Sequence, residues 1–239
     1  MKILSIDTAS DVCGVSILEN NNLIEKFDEI TKESHSQKLM PIIENAFKKT
    51  KLTIDDIDLI VCDIGPGSFT GIRIGVATVK AFCDSKDIIP IGISSLESLA
   101  YSIKNNSNII CSIINAKNDN CYFALYEKNK DNTLQTLIEP EAENIDTILS
   151  ILNSYNLDTL NNQVISFVGD GSKVYKDKIL EVFPNSIIAD DKNDILDSYN
   201  LGLAGFDKYS SGEELEELLP LYLKKPQAQI QLEKKDISK

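Results

Sequence analysis

The stretch Gly65-Pro66-Gly67-Ser68-Phe69-Thr70-Gly71-Ile72-Arg73-Ile74-Gly75 constrains this chain more than any other. A strand-like run over 57–63 precedes it, and an apolar helical pattern follows without a break. Strand, glycine turn, helix is a geometry in which backbone N–H groups at a helix start can face an anion. Glycines allow φ values that a side chain forbids, and Ser68 or Thr70 can cap the helix. No Lys-Ser/Thr follows the last glycine, so this is not a Walker A loop. The third glycine falls one residue late for the dinucleotide fingerprint. Two readings stay open: a tight strand-to-helix turn, and a phosphate cradle.

The helix that follows is unusual on its own terms. From Phe69 to Cys83 its polar residues are Thr70, Arg73, Thr78 and Lys80. A helix apolar nearly all round is buried on more than one side. One side can pack on its own sheet, and the other needs a second layer or a second chain. Gly71 and Gly75, four apart, have the spacing that lets another helix come close.

The same element order occurs twice. Strand-like runs over 2–6, 12–18 and 23–28 lead to a helical pattern opened by Ser34-His35-Ser36-Gln37, which reads as a capping box. Leu39, Ile42, Ile43, Ala46 and Phe47 keep helical spacing there, and Pro41 should cost a backbone bond and kink or shift the helix. The strand over 57–63, the glycine turn and its helix, a strand over 88–93 and a helix capped by Ser94-Ser95-Leu96-Glu97 complete the first unit. Strand-like runs over 109–115, 121–127 and 133–138 open the second. A helix over 145–155, a strand over 164–168 with Gly169-Asp170-Gly171, a helix over 172–183, a strand over 186–189 and a helix over 195–209 follow. This is α/β with two ribonuclease-H-like domains, each in βββαβαβα order. The boundary falls in the polar cluster Asn105-Asn106-Ser107-Asn108, giving domains 1–105 and 106–239. A last helical stretch over 213–219 precedes Pro220 and should pack back across the domains.

Composition narrows the chemistry. The net charge of −13 argues against direct nucleic-acid binding, which needs clustered Lys and Arg. Lys224, Lys225, Lys234, Lys235 and Lys239 form only a modest, solvated basic tail. Five cysteines without a C-x-x-C pair read as buried free thiols in a reducing cytoplasm. No apolar run reaches membrane-spanning length, and Asp7 comes too early for a signal peptide, so a cytoplasmic location is expected. The single histidine, His35, leaves no ligand set for zinc and no elbow-type serine triad. Asp7-Thr8-Ala9-Ser10 is a polar turn of the kind that meets nucleotide phosphates in two-domain phosphotransferases, with the carboxylate on a metal; it is also an ordinary turn sequence. Its second-unit equivalent, Asn115-Ala116-Lys117-Asn118, has no carboxylate.

Three segments carry a resemblance: Ile3-Leu4-Ser5-Ile6-Asp7-Thr8, the glycine stretch, and Leu219-Pro220-Leu221-Tyr222-Leu223-Lys224. Together they resemble the TsaB family, also called YeaZ, and the element order agrees over almost the whole chain. The resemblance implies the actin/hexokinase/Hsp70-like (ASKHA) fold. It also implies an accessory, non-catalytic role beside the catalytic paralogue TsaD and the ATPase TsaE. Their complex transfers threonylcarbamoyl from threonylcarbamoyl-adenylate to N6 of adenosine 37 in ANN-decoding tRNAs. By matching position, the partner surface would be the first two helices, with His35, Leu39, Met40, Ile43, Phe69, Gly71, Ile72, Arg73, Gly75, Val76 and Val79. The resemblance implies no cofactor or metal of its own, with ATP, ADP and metal in the partner subunits. The charge suggests that tRNA is met through the complex, and an exposed apolar helix pair predicts a homodimer when the chain is alone. Asp7, Thr8, Gly169, Asp170 and Gly171 would be a vestigial nucleotide site. The His-x-x-x-His positions of TsaD match Ser95 and Leu99 here, which removes the metal ligands. This chain departs from the family at Asn115-Ala116-Lys117, usually Asp-Ala-Arg, and at Lys224, usually Arg. The alternative reading is a small ATP-dependent phosphotransferase of the same fold, motivated by Asp7-Thr8 and Gly169-Asp170-Gly171.

Overall fold

The computed structural model describes residues 1–30, 34–104, 107–160 and 163–223. The basic tail from Lys224 onward, with the family departure at that lysine, lies outside the described residues.

Two five-stranded sheets organise the chain. The first comprises β1 (Lys2–Asp7), β2 (Val12–Glu19), β3 (Asn22–Ile30), β4 (Leu59–Asp63) and β5 (Ile89–Ile93), in the order β3-β2-β1-β4-β5. The second comprises β6 (Ile109–Asn115), β7 (Asn120–Lys128), β8 (Leu134–Asn144), β9 (Ile165–Val168) and β10 (Ile187–Ile188), in the order β10-β9-β6-β7-β8. Read from the meander end, the two orders are the same. In both, the first three strands pair antiparallel and the last two join in parallel. The parallel pairs are joined through helices, since parallel neighbours need a crossover connection. Central strands such as Leu59–Asp63 are buried at every residue, as strands covered on both faces must be.

The helices are α1 (His35–Thr50), α2 (Phe69–Lys86), α3 (Ser95–Ala100), α4 (Ile145–Asp158), α5 (Asp170–Val174), α6 (Lys176–Val182) and α7 (Ser198–Ser211). α1 and α2 cover one face of the first sheet with Leu39, Ile43, Ala46, Ile72, Val76 and Val79. α4 and α6 cover one face of the second, around Phe123, Phe167 and Ile179.

α5 stays with the second sheet, against β6, while α3 and α7 change places. α7 closes the second unit in sequence, yet it packs on the first sheet, with Leu201 and Ala204 against Ile3, Leu18, Leu59 and Val61. Gly205 makes this close approach possible, because a methyl there would lie 2.2 Å from a Val61 methyl. Buried hydroxyls pin its start: Ser5 Oγ and Ser16 Oγ both donate to Ser198 O, at 2.5 and 3.0 Å. α3 closes the first unit yet packs on β6 and β7, and the two exchanged helices touch each other between the sheets. Apolar spacing says which face of a helix is buried, but it does not say against which sheet.

Two local expectations fail. Ser34 gives no side-chain cap; its hydroxyl instead pairs with Ser36 Oγ at 2.7 Å. α1 includes Pro41, which has no N–H to give to the helix ladder. Residues 213–219 form no helix. Glu213, Glu214, Glu216 and Glu217 would crowd like charges at three- and four-residue spacing. Extended backbone instead buries Leu218 beside Ile64 and Gly92, and lets Leu221 N donate to Ile64 O at 2.8 Å. The caps on the later helices do form, with Ser68 Oγ accepting from Gly71 N and Ser94 Oγ from Glu97 N.

Candidate functional site

The glycine stretch is a packing device. The Gly65–Pro66 peptide is cis, and Gly65 sits at φ +102°. α2 then starts directly against the β1–β2 turn. Ser68 N donates to Ala9 O at 2.6 Å, and Thr8 Oγ1 donates to Gly71 O at 2.8 Å. A methyl at Gly71 would lie 1.9 Å from Thr8 O, and one at Gly75 would lie 2.6 Å from Thr8 Oγ1. What approaches these two glycines is therefore a strand-end turn. The expectation that their spacing admits another helix is corrected, because both point inward. Of the two readings of the turn, the tight strand-to-helix packing is the one built. A phosphate would have to displace backbone that is already hydrogen-bonded.

Asp7 and Thr8 are fully buried in this contact. Asp7 Oδ1 accepts from Ala9 N at 2.9 Å, while Oδ2 has no partner. Asp63, at the end of the neighbouring β4, is also fully buried; it accepts from Gly65 N at 2.7 Å and from Ser95 Oγ at 2.7 and 2.9 Å. Burial raises both carboxyls. Asp7 goes well above the usual range, aided by the charge of Asp63, and Asp63 is pushed up to about 7 against the pull of its hydrogen bonds. Sequence reasoning passed over Asp63. Its signal was the last position of a parallel strand directly before a glycine turn. Ser95, which the resemblance sets against a TsaD metal ligand, donates to a carboxylate. Leu99, at the other, packs against Gly169.

In the second unit Gly169-Asp170-Gly171 repeats the arrangement. Both glycines lie against Ile113 on β6, and Asp170 Oδ1 accepts from Asn115 N at 2.9 Å. These three residues follow β9 of the second sheet, whereas Asp7 ends β1 of the first and Thr8 follows it. His35 stands beside Gly71 with Nε2 2.8 Å from Ser10 O, which ties the start of α1 to the same turn; its buried Nδ1 has no partner.

The expected partner residues divide. Leu39, Ile43, Ile72, Val76 and Val79 are core residues, and Gly71 and Gly75 are buried on the turn. In the chain alone the sheet covers the first five and the β1–β2 turn covers the two glycines. Met40 and Phe69 stay exposed, at 42% and 37%, with Arg73 on the same outer side of α2 as Thr70, Ala77 and Ala81. The second side of α2 is covered in part by the chain's own 217–222 segment. Arg73 Nε donates to Tyr222 Oη at 2.7 Å, Lys80 Nζ meets Glu217 at 3.1 Å, and Phe69 lies 4.9 Å from Tyr222 between ring centres. Two-sided burial in the sequence thus came partly from this intrachain strap. Among the described residues no helix is long and apolar enough to cross a membrane.

Two sheets of one topology with exchanged closing helices define an ASKHA-class protein. The ROK hexokinase of Thermus thermophilus superposes with a TM-score of 0.50 at 10% identity, over 87% of this chain and all of that one. YeaZ from Pseudomonas aeruginosa superposes with a TM-score of 0.75 at 21% identity, over 93% of this chain and 99% of that one. The family described as "TsaD: tRNA N6-adenosine threonylcarbamoyltransferase" matches residues 17–232. The tRNA threonylcarbamoyladenosine biosynthesis protein TsaB of Bacillus subtilis (strain 168) is 29% identical over 182 residues, 76% of each chain. The chain belongs to this family, on its TsaB/YeaZ branch, and so to tRNA threonylcarbamoyladenosine biosynthesis.

Proposed function

We propose that this chain is the docking subunit of the threonylcarbamoyl-transfer complex: it binds and activates TsaD and performs no chemistry itself. The observation that carries this reading is the closed turn. Thr8 and Ala9 are hydrogen-bonded to the start of α2, and Asp7 is fully buried beneath them. In a phosphotransferase of this fold the same turn must open onto a nucleotide. The outer stripe Phe69, Thr70, Arg73, Ala77 and Ala81, with Met40 on α1, is the surface left for TsaD and for self-association when TsaD is absent. ATP and the metal then act in TsaE and TsaD, and tRNA is met through the assembled complex. The chain's own net charge of −13 is in keeping with that division. The domains 1–105 and 106–239 would carry the partner surface and the strap respectively.

The test is size-exclusion chromatography with light scattering on the chain mixed with TsaD of its own organism, then a transfer assay with TsaE and ATP. A mixed complex with restored transfer is expected. Separate peaks and no gain in transfer refute the proposal. The phosphotransferase alternative needs an open turn, and the packing counts against it; binding heat from Mg-ATP on the isolated chain would bring it back.

A further inference from the structure

This chain contains 24 Lys and Arg residues, and Arg73 is the only arginine among them. Wherever a plain solvated cation suffices, the sequence uses lysine. Arginine differs in being planar, in stacking on rings, and in presenting donors in a fixed fork. Arg73 uses each of these properties. Its guanidinium carbon lies 3.7 Å from the centre of the Phe69 ring and 5.7 Å from that of Tyr222. Its Nε donates to Tyr222 Oη at 2.7 Å. Lysine can sit over a ring as a point charge, but it lacks the plane that stacks and the inner nitrogen that donates while two further nitrogens stay available.

This clamp fixes the guanidinium while leaving it at the surface. Phe69 is 37% exposed, Tyr222 is 42% exposed, and Arg73 is exposed between them. With Nε engaged, the two terminal Nη groups still carry four N–H donors. Among the described residues no carboxylate pairs with Arg73, although 37 Asp and Glu are present in the chain. A held, aromatic-flanked arginine has already lost the side-chain freedom that binding would otherwise remove. It also has the composition of an interface hot spot. A protein docking over it would strip water from a full positive charge, which is tolerable only if the partner supplies an anion there.

Resting on the docking-face reading above, we propose that Arg73 is its recognition cation. Its two Nη groups take an Asp or Glu carboxylate of TsaD end-on, with Phe69 and Tyr222 holding the fork in place. A carboxylate at short range fits better than an RNA phosphate, because a chain of net charge −13 repels a polyanion at long range.

The experiment is calorimetric titration of the full chain into TsaD of the same organism, at low and high salt. Melting temperatures of every variant are recorded in parallel. Arg73→Lys keeps the charge and loses the fork, and should weaken binding by at least about tenfold with an unchanged melt. Tyr222→Phe, which frees Nε, should weaken it by a few fold. Lys80→Ala, removing an exposed ion pair about two turns further on, should stay within about twofold. Arg73→Glu should abolish binding, and reversal of one surface carboxylate of TsaD to Arg should restore it. If Arg73→Lys binds within twofold of the unmutated chain, the inference is wrong while the docking reading stands. If the unmutated chain fails to bind, both fall. If Arg73→Lys spares TsaD binding but weakens tRNA binding by the assembled complex, the anion is an RNA phosphate and the carboxylate assignment is overturned.

Discussion

Replacing Gly71 by alanine sets two effects of known size against each other. In an ordinary helix interior the change is stabilising by about 1 kcal/mol, because glycine loses more backbone entropy. Here the new methyl would lie 1.9 Å from Thr8 O and 3.1 Å from Thr8 C. Both are backbone atoms, which no rotamer change can move aside. Helix and turn must separate by about 1.1 Å to bring that contact even to 3.0 Å, the closest approach real Cβ atoms make. Such a shift breaks Ser68 N–Ala9 O at 2.6 Å and Thr8 Oγ1–Gly71 O at 2.8 Å. Overpacking of this kind costs about 1–3 kcal/mol, and each lost buried hydrogen bond about 1 kcal/mol. The net expectation is a destabilisation of about 2–4 kcal/mol. The assay is urea unfolding followed by far-ultraviolet circular dichroism, since the chain has no tryptophan. Ala77→Gly, on the exposed side of the same helix, calibrates the propensity effect and should cost about 1 kcal/mol. A Gly71→Ala chain as stable as the unmutated one, or more so, would refute the packing account of the glycine stretch.

Ile72→Glu or Val76→Glu should cost several kcal/mol and lose the folded signal, because each buries a charge in the core, whereas Phe69→Ala and Arg73→Ala should keep the fold; thermal melts separate the two pairs. Asp7 and Asp63 have raised values in the folded chain, so between about pH 4 and pH 7 the folded state binds more protons than the unfolded one. Their contribution is present at low pH and is lost as pH rises through that window. Asp7→Asn should flatten this slope and raise the melting temperature at pH 8; an unchanged slope with a lower melt would show that the carboxyl is not strained by burial. Burial raises the Cys13 thiol to about 12 and Cys83 to about 11, and all five cysteines are buried. An aromatic disulfide reagent at pH 8 should therefore find no fast-reacting thiol until denaturant is added, when five should react.

The order of elements was legible because each strand and helix keeps its own period, and the glycine turn marks where one becomes the other. Cap chemistry was legible at Ser68 and Ser94, where the serine directly precedes the helix and its N3 amide is free. It misled at Ser34, where a second hydroxyl two residues on competes for the same group. The partner surface was only half legible. An apolar residue on a two-sided helix looks the same whether a sheet, a strap or another protein covers it. Only the coordinates separate Ile72 in the core from Phe69 at the surface. The carboxylate pair escaped notice because Asp7 and Asp63 are 56 positions apart, and nothing local announces that β1 and β4 are neighbours.

The exchange of α3 and α7 also fixes how the chain must be made. All five strands of the first sheet have been synthesised once Ile93 is reached, but the helix that covers their Ile3, Leu18, Leu59 and Val61 face ends at Ser211, which is 211 − 93 = 118 residues later. At roughly 5–20 residues per second, the ribosome leaves that apolar face without its own cover for about 6–24 s. For about half of its synthesis, then, the finished sheet lacks the helix that covers this face, and a stall between Ile93 and α7 would leave that apolar face open.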